Sequence, residues 1–563
     1  AEFLGDISTS SFQLGKLIDN PDLGEIAFNA SIDGTVDTTS IKHCIANANI
    51  QHIDYLGYTY QDLRFNGELQ KESLSGNFSI KDENINIIIN GIANWSKENT
   101  RLDITAHLKD FCPNAIHLTD KYPNLTLDAS ANVSLSTYGK HWIDNLTGHI
   151  IIDSLNVQNG SKQAIMEQMK LLVDNDIKNK KKHHRLQLQS DFVTANISGI
   201  FQYTTLLNTA QRIIHGYVPS LVTAPKKINR QPNELSFYAY FRQLETISEV
   251  LDLEVSLPHY PTIKGYIDEQ KEALELQAYI PNINTDGTNI KDLTIALNNP
   301  NEALDLSVYM YNCLPQNNPT AAKIGDVKAH INVKAQDDKI GLQISLDNTD
   351  SVRNAGVINI SSKIARYADK PLFDIHVHPS DFLLNDSAWN ISESQFIYNV
   401  YEQKMHVENF SLSTDYQTIA LNGTASKHIY DSIQVQLQNI DIQYLLSYTQ
   451  AANAISVQGP LTGWATLYGL FSQPMIEAQA LVPSGGLNGT YLGDIFANAY
   501  WDRGEKAIMI EGQAIDSTAH LVADVKGKVI PANKWWGLDI TCDSVDIGLI
   551  NFWTNGFFSN PQG

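Results

Sequence analysis

One unit recurs from end to end of this chain and constrains its fold more than any other feature. It is an alternating apolar/polar strand that runs into a short polar-then-aliphatic corner. The clearest copy spans residues 431–446. Ile433, Val435 and Leu437 fall on one face of a strand, and Gln434, Gln436 and Gln438 on the other, because side chains alternate with period two. Ile440, Ile442, Leu445 and Leu446 form the corner. Further copies lie at 102–111, 235–251, 373–384 and 538–550, with a starting fragment at 7–18. Strands with one apolar face and no catalytic motif between them point to a long structural or carrier surface, not to a pocket with chemistry.

Polar turns between alternating runs are the antiparallel hairpin signal. Residues 76–89 predict strand, turn and strand, with the turn at 81–84, and residues 327–346 repeat the plan around 336–339. Two more hairpins turn at 268–271 and 502–505. Helical spacing is scarce. Ile165, Met169, Leu172 and Val173 predict a helix over 161–173. Leu206, Leu207, Ala210, Ile213, Ile214, Tyr217 and Val218 predict one over 205–221, which Pro219 ends. A third short piece is expected at 244–251, and loops at 223–233 and 314–320. So many strands without intervening βαβ helices exclude a parallel α/β sheet. The expected fold is all-β with a few short helices: an elongated, repetitive antiparallel sheet curled into an apolar groove is as plausible as a sandwich. The groove repeats are expected over 1–160 and 234–563, with a helix-containing insertion with strands at 161–233.

The formal charge of −22 argues against nucleic acid, which needs a basic face, and against lying flat on an anionic membrane. The one strongly positive run, 178–185, contains His183 and His184, which read as a solvated turn. Cys44, Cys112, Cys313 and Cys542 lie too far apart for a zinc pattern and read as isolated thiols. His376 and His378 share a strand face near Asp381 but lack a third ligand at fixed spacing, so no metal is assigned. No G-x-S-x-G, H-E-x-x-H, P-loop or G-x-G-x-x-G motif occurs, and no catalytic residue or cofactor is expected. Sequons such as those at Asn29, Asn77 and Asn196 follow from Asn, Ser and Thr being the polar-face residues of the strands. No apolar run reaches the length of a transmembrane helix. The abrupt ends read as those of a segment excised from a longer chain.

Several segments together resemble the TamB branch of the AsmA-like proteins of Gram-negative envelopes. Residues 12–18 lead into 23–34, and residues 58–67 into 74–82 and 91–94. Residues 199–206 precede the helix and its Tyr217-Val-Pro219 exit. Val457-Gln-Gly-Pro-Leu-Thr-Gly-Trp-Ala-Thr-Leu-Tyr-Gly469 is similar to the family's glycine-punctuated strand pair, and residues 491–502 to a further strand. The resemblance implies a twisted sheet folded lengthwise into a groove, periplasmic location, and movement of glycerophospholipids between inner and outer membranes. Anchoring to the inner membrane would come from a segment outside this sequence. Some members are linked instead to outer-membrane protein assembly with a TamA- or BamA-like barrel, which is the alternative reading. An extracellular adhesin or glycan-binding β-protein is a third.

Elementary energetics agree with a lipid-filled groove. Burying an acyl chain is worth about 0.8 kcal/mol per CH₂, so a chain of about 16 carbons gains roughly 10 kcal/mol before ordering costs. The residues expected to line the groove and meet phospholipid acyl chains are Ile85, Ile87, Leu102, Ile104, Leu274, Leu276, Ile331, Val333, Ile433, Val435, Leu437, Leu521 and Val525.

Overall fold

The computed structural model describes residues 1–36, 41–96, 99–178, 181–226, 231–257, 260–285, 288–311, 327–348, 352–384, 386–441, 456–472, 474–487, 489–530 and 535–542. The expected loop at 314–320, Cys313, Ile442, Leu445, Leu446 and the part of the 538–550 repeat after residue 542 lie outside the described residues. Among those described are 36 strands and three short helices, α1 (Leu14–Ile18), α2 (Leu206–Tyr217) and α3 (Leu244–Val250). The chain is therefore all-β and antiparallel with few helices. It forms two compact units. The first holds Ala1–Ile213, Pro225–Asp286 and Lys291–Asn298; the second holds Ile214–Ala224, Gly287–Ile290 and Asn299–Gly563.

In the first unit, strands from Glu2–Gln13 through Ala273–Thr285 pair antiparallel, mostly with their neighbours in chain order; Glu234–Phe241 skips the short Val255–Ser256 to pair with Thr262–Asp268, and Val255–Ser256 pairs with Ala273–Thr285. The long strand Thr147–Asn159 forks. Its second half forms a hairpin with Lys162–Met166, and its first half pairs with Met169–Lys178. In the second unit the same order runs from Leu304–Tyr311 to Trp535–Cys542. Ala355–Tyr367 forks there onto Lys370–Val377 and Ser380–Leu384.

The helix expected over 161–173 does not form. Its apolar residues belong to the strands Lys162–Met166 and Met169–Lys178, where Met169, Leu171 and Val173 sit on one face with period two. Helical spacing and strand alternation overlap in a short apolar run, and cross-strand pairing decides between them. Residues 161–233 thus continue the sheet and add α2. The basic run is also strand, Lys181–Ser190, and His184 is only 3% exposed; it is no solvated turn. The 205–221 helix forms as α2, and 244–251 as α3. In the first unit α2 is held by a buried polar cluster. Glu269 accepts from Thr209 Oγ1 at 3.2 Å and from the Asn233 backbone N–H at 2.9 Å, and it pairs with Arg212.

Two of the repeats, 102–111 and 431–441, carry a β-bulge, whereas the corner at 244–251 is α3. At each bulge, two residues of one strand oppose a single residue of its partner, so the apolar register skips from position i to i+3. Leu108 and Phe111 face Ala129 and Leu127; Leu437 and Ile440 face Gly463 and Leu461. Val407 with Phe410, and Val482 with Gly485, repeat the step. The second bulged residue is left-handed in each case: Asp110 (φ 53°), Asn409 (57°), Asn439 (52°) and Ser484 (51°). Asn and Asp tolerate that conformation better than most residues. In three of the four, the freed backbone N–H is taken by the lone opposing side chain. Asp110 donates to Asp128 at 2.8 Å, Asn439 to Thr462 at 3.0 Å and Ser484 to Asp494 at 2.9 Å. Bulges bend a strand and increase its local twist, and they recur in both units.

Candidate functional site: an apolar sheet face

Register places the apolar residues in rows that cross the strands. In the first unit one row starts at Gly5 and passes Ile32, Ala46, Gly67, Gly76 and Gly91. It continues through Ile104, Val133, Ile150, Leu171 and Leu188, and ends at Ala195, Ala239, Ile263 and Ala278. The neighbouring row carries Leu102, Leu135, Gly148, Val173 and Leu186, then Ile197, Phe237, Gly265 and Leu276. Neither row contains an Asp, Glu, Lys or Arg. At Gly265 the space is filled from the facing strand: the Phe237 ring lies 2.4 Å from where a Cβ would stand.

The second unit has rows of the same kind. Val308, Ile331, Ile344 and Ile358 form one, and Leu306, Val333, Leu342, Ile360 and Val377 the next. Farther along, Ile419, Leu437 and Gly463 lead through Ala480, Ala497 and Gly512 to Val525 and Ile540. Val435 lies in the adjacent row with Leu421, Ala465 and Ala478, and Ile433 in the row beyond.

These rows collect most of the residues expected to line a groove. Leu102 and Leu276 share one row, and Ile104 lies in the next. Leu437 and Val525 share another, with Val435 beside it. Leu274 pairs with Ile267 at the margin of the first unit's face. Ile87 lies in a row with Ile80 and Leu108 and packs against a closed cluster of Leu63, Ile80, Ile85 and Ile116. Ile85 itself is buried in that cluster. Leu521 is not brought to the rows. It precedes a bulge in its own strand, where Val522 is the extra residue opposite Ala514/Ile515, and is 48% exposed, while Val522 packs on the cluster of Leu492, Ala514 and Ala523. The extra residue turns Leu521 to the other face, which simple alternation does not show.

Over 434–438 burial separates the two faces: Val435 and Leu437 are half-buried, whereas Gln434, Gln436 and Gln438 are exposed. Leu102, Ile104, Ile331 and Val333 are half-buried too, as are Asp103 and Asn332 beside them. The opposite face carries the polarity. Asn47, Asn66, Asn77 and Asn90 stand in one cross-strand row, with Asn77 Nδ2 donating to Asn90 Oδ1 at 2.6 Å. Asp103 lies on this side too. Its pairing with Arg101 at 2.7 Å, and then its bond from Ser134, hold its carboxyl below the usual range.

The face is not wholly without polar groups. Asn175, His184 and Gly199 oppose one another at its edge, in the row that leads to Leu235, Ile267 and Leu274. Burial, with the Lys182 charge second, pushes the His184 imidazole down to about 4. Burial, with Asp144 second, pushes the nearby Tyr203 phenol up to about 12. Both are neutral across the physiological range. His376 and His378 bond instead to Asp374 (3.2 Å) and Ser361 (2.8 Å). Among the described residues no three His, Cys, Asp or Glu side chains are grouped to hold a metal ion. No described helix is long and apolar enough to cross a membrane.

Fold and face together define a class: an antiparallel sheet protein with one uncharged apolar face and one polar face in each unit. No protein-family model and no curated protein matches the chain.

Proposed function

We propose that this chain is a lipid carrier that holds phospholipid acyl chains against its apolar sheet faces and lets them pass from row to row. The observation that carries this reading is the run of uncharged rows, most of whose expected groove residues are half-buried; Ile433 lies in a closed cluster with Val407 and Ala425, on which Leu421 and Val435 pack. Aliphatic side chains and glycine offer no directional anchor, so an acyl chain is held by area alone and meets no single tight site. The resemblance to TamB-like proteins supports the same reading, with glycerophospholipid as cargo and the periplasm as the place of work between two membranes.

A second reading follows from the same resemblance: an assembly factor for outer-membrane barrels, which would offer a strand edge as a template for strand addition.

The test compares adjacent substitutions. Val435→Asp or Ile331→Asp puts a carboxylate among acyl chains, which costs several kcal/mol if it is desolvated. Gln436→Asp puts the same group in water. Mass spectrometry of organic extracts should find co-purified phospholipid with the wild type and Gln436→Asp, and much less with Val435→Asp, while thermal melts stay similar. Equal lipid in both folded variants would move the assembly reading ahead.

A further inference from the structure

One corner of the first unit gathers polar atoms that the fold leaves without partners. Asn175 and His184 face each other across adjacent strands, on the same side as Val173 and Leu186. The His184 ring lies 5.2 Å from that of Phe201 and 5.4 Å from that of Tyr203, centroid to centroid. Asn175 Nδ2, His184 Nδ1 and the Tyr203 hydroxyl are buried and make no hydrogen bond. Buried polar atoms in folded proteins are nearly always bonded, so three at one place call for a reason. The charged neighbours do not serve them. Asp144 accepts from the Thr204 backbone N–H (3.2 Å) and Oγ1 (2.8 Å), and Lys182 Nζ donates to the Asp144 carbonyl (3.1 Å) and Asn145 Oδ1 (2.7 Å).

We propose that Asn175, His184 and Tyr203 form a hydrogen-bonding station for an uncharged oxygen acceptor, the ester carbonyl of an acyl lipid whose tail lies on the adjoining apolar row. The inference rests on the carrier reading above and names the part of the lipid that is recognised. The amide of Asn175 and the phenol of Tyr203 are donors, and the imidazole offers a donor or an acceptor according to its tautomer. Burial keeps both rings neutral, which suits a carbonyl and not a phosphate, and the nearby ammonium of Lys182 is already engaged. Binding requires Tyr203 to swing off His184. In the closed arrangement all three atoms are unbonded, and a bound carbonyl oxygen, with two lone pairs, gives two of them a partner.

The test measures affinities of the purified full chain for a short-chain diacyl phosphatidylcholine and for its diether analogue, which lacks only the carbonyls. The wild type should bind the ester about tenfold more tightly, the equivalent of one hydrogen bond. Tyr203→Phe combined with Asn175→Leu should erase that preference and leave affinity for the diether unchanged. Equal affinity of the wild type for the two lipids overturns the station, leaving its atoms to ordered water or to one another. A preference that survives in the double variant overturns it as well. Failure to bind either lipid overturns the carrier reading itself, and is distinguishable because both affinities vanish together.

Discussion

Val435 and Gln436 are adjacent in the chain and opposite in environment. The first is half-buried in a row with Leu421 and Ala465; the second is exposed beside Trp464. Period-two alternation made this difference legible from the residues alone. The lysine run hid His184, although its alternation with Leu186 and Leu188 was the available signal. Its burial has a measurable consequence. The unfolded chain takes up a proton on this imidazole near pH 6.5, whereas the folded chain does so only near pH 4. Between those values the unfolded state binds more protons, so stability is fully present above about pH 6.5 and falls as pH drops towards 4. The drop is about 3 kcal/mol for this group. Denaturant midpoints of the wild type should therefore fall more steeply over that window than those of His184→Phe; parallel curves would refute the buried neutral imidazole.

At the scale of elements, the bulge is the part of the repeat that sequence reading identified only as a corner. The i to i+3 step of Leu108–Phe111 or Leu437–Ile440 looks like the start of a helix or a loop. Its meaning appears only when the single opposing residue, Asp128 or Thr462, is seen to accept the freed N–H. The same ambiguity misplaced a helix over 161–173, where period two and period 3.6 share Met169 and Val173. α2 was legible because its seven apolar positions extend over three turns and end at a proline. The bulge account predicts an asymmetry at Asp110, whose φ is 53°. Asp110→Val should destabilise the first unit by about 1–2 kcal/mol, because a β-branched residue resists the left-handed region. Asp110→Gly should be nearly neutral. Denaturant titration of the three proteins checks this; equal losses for Val and Gly would mean that the left-handed turn is not what the position requires.

For the molecule as a whole, the division of labour between faces is the central feature. A formal charge of −22 coexists with cross-strand rows that carry no charged side chain in either unit. Acidity keeps a strand-rich surface soluble, while the uncharged rows remain available to apolar cargo. The most direct measurement is site-specific photo-crosslinking of the full chain to phospholipid vesicles of phosphatidylethanolamine and phosphatidylglycerol. A photoreactive residue is placed in turn at Val133 and Val435 on the apolar rows, and at Asn132 and Gln436 beside them on the polar face. Lipid adducts at Val133 and Val435, with few at Asn132 and Gln436, are the expected result. Adducts distributed alike over all four positions, or absent from all of them, would contradict a lipid-carrying face.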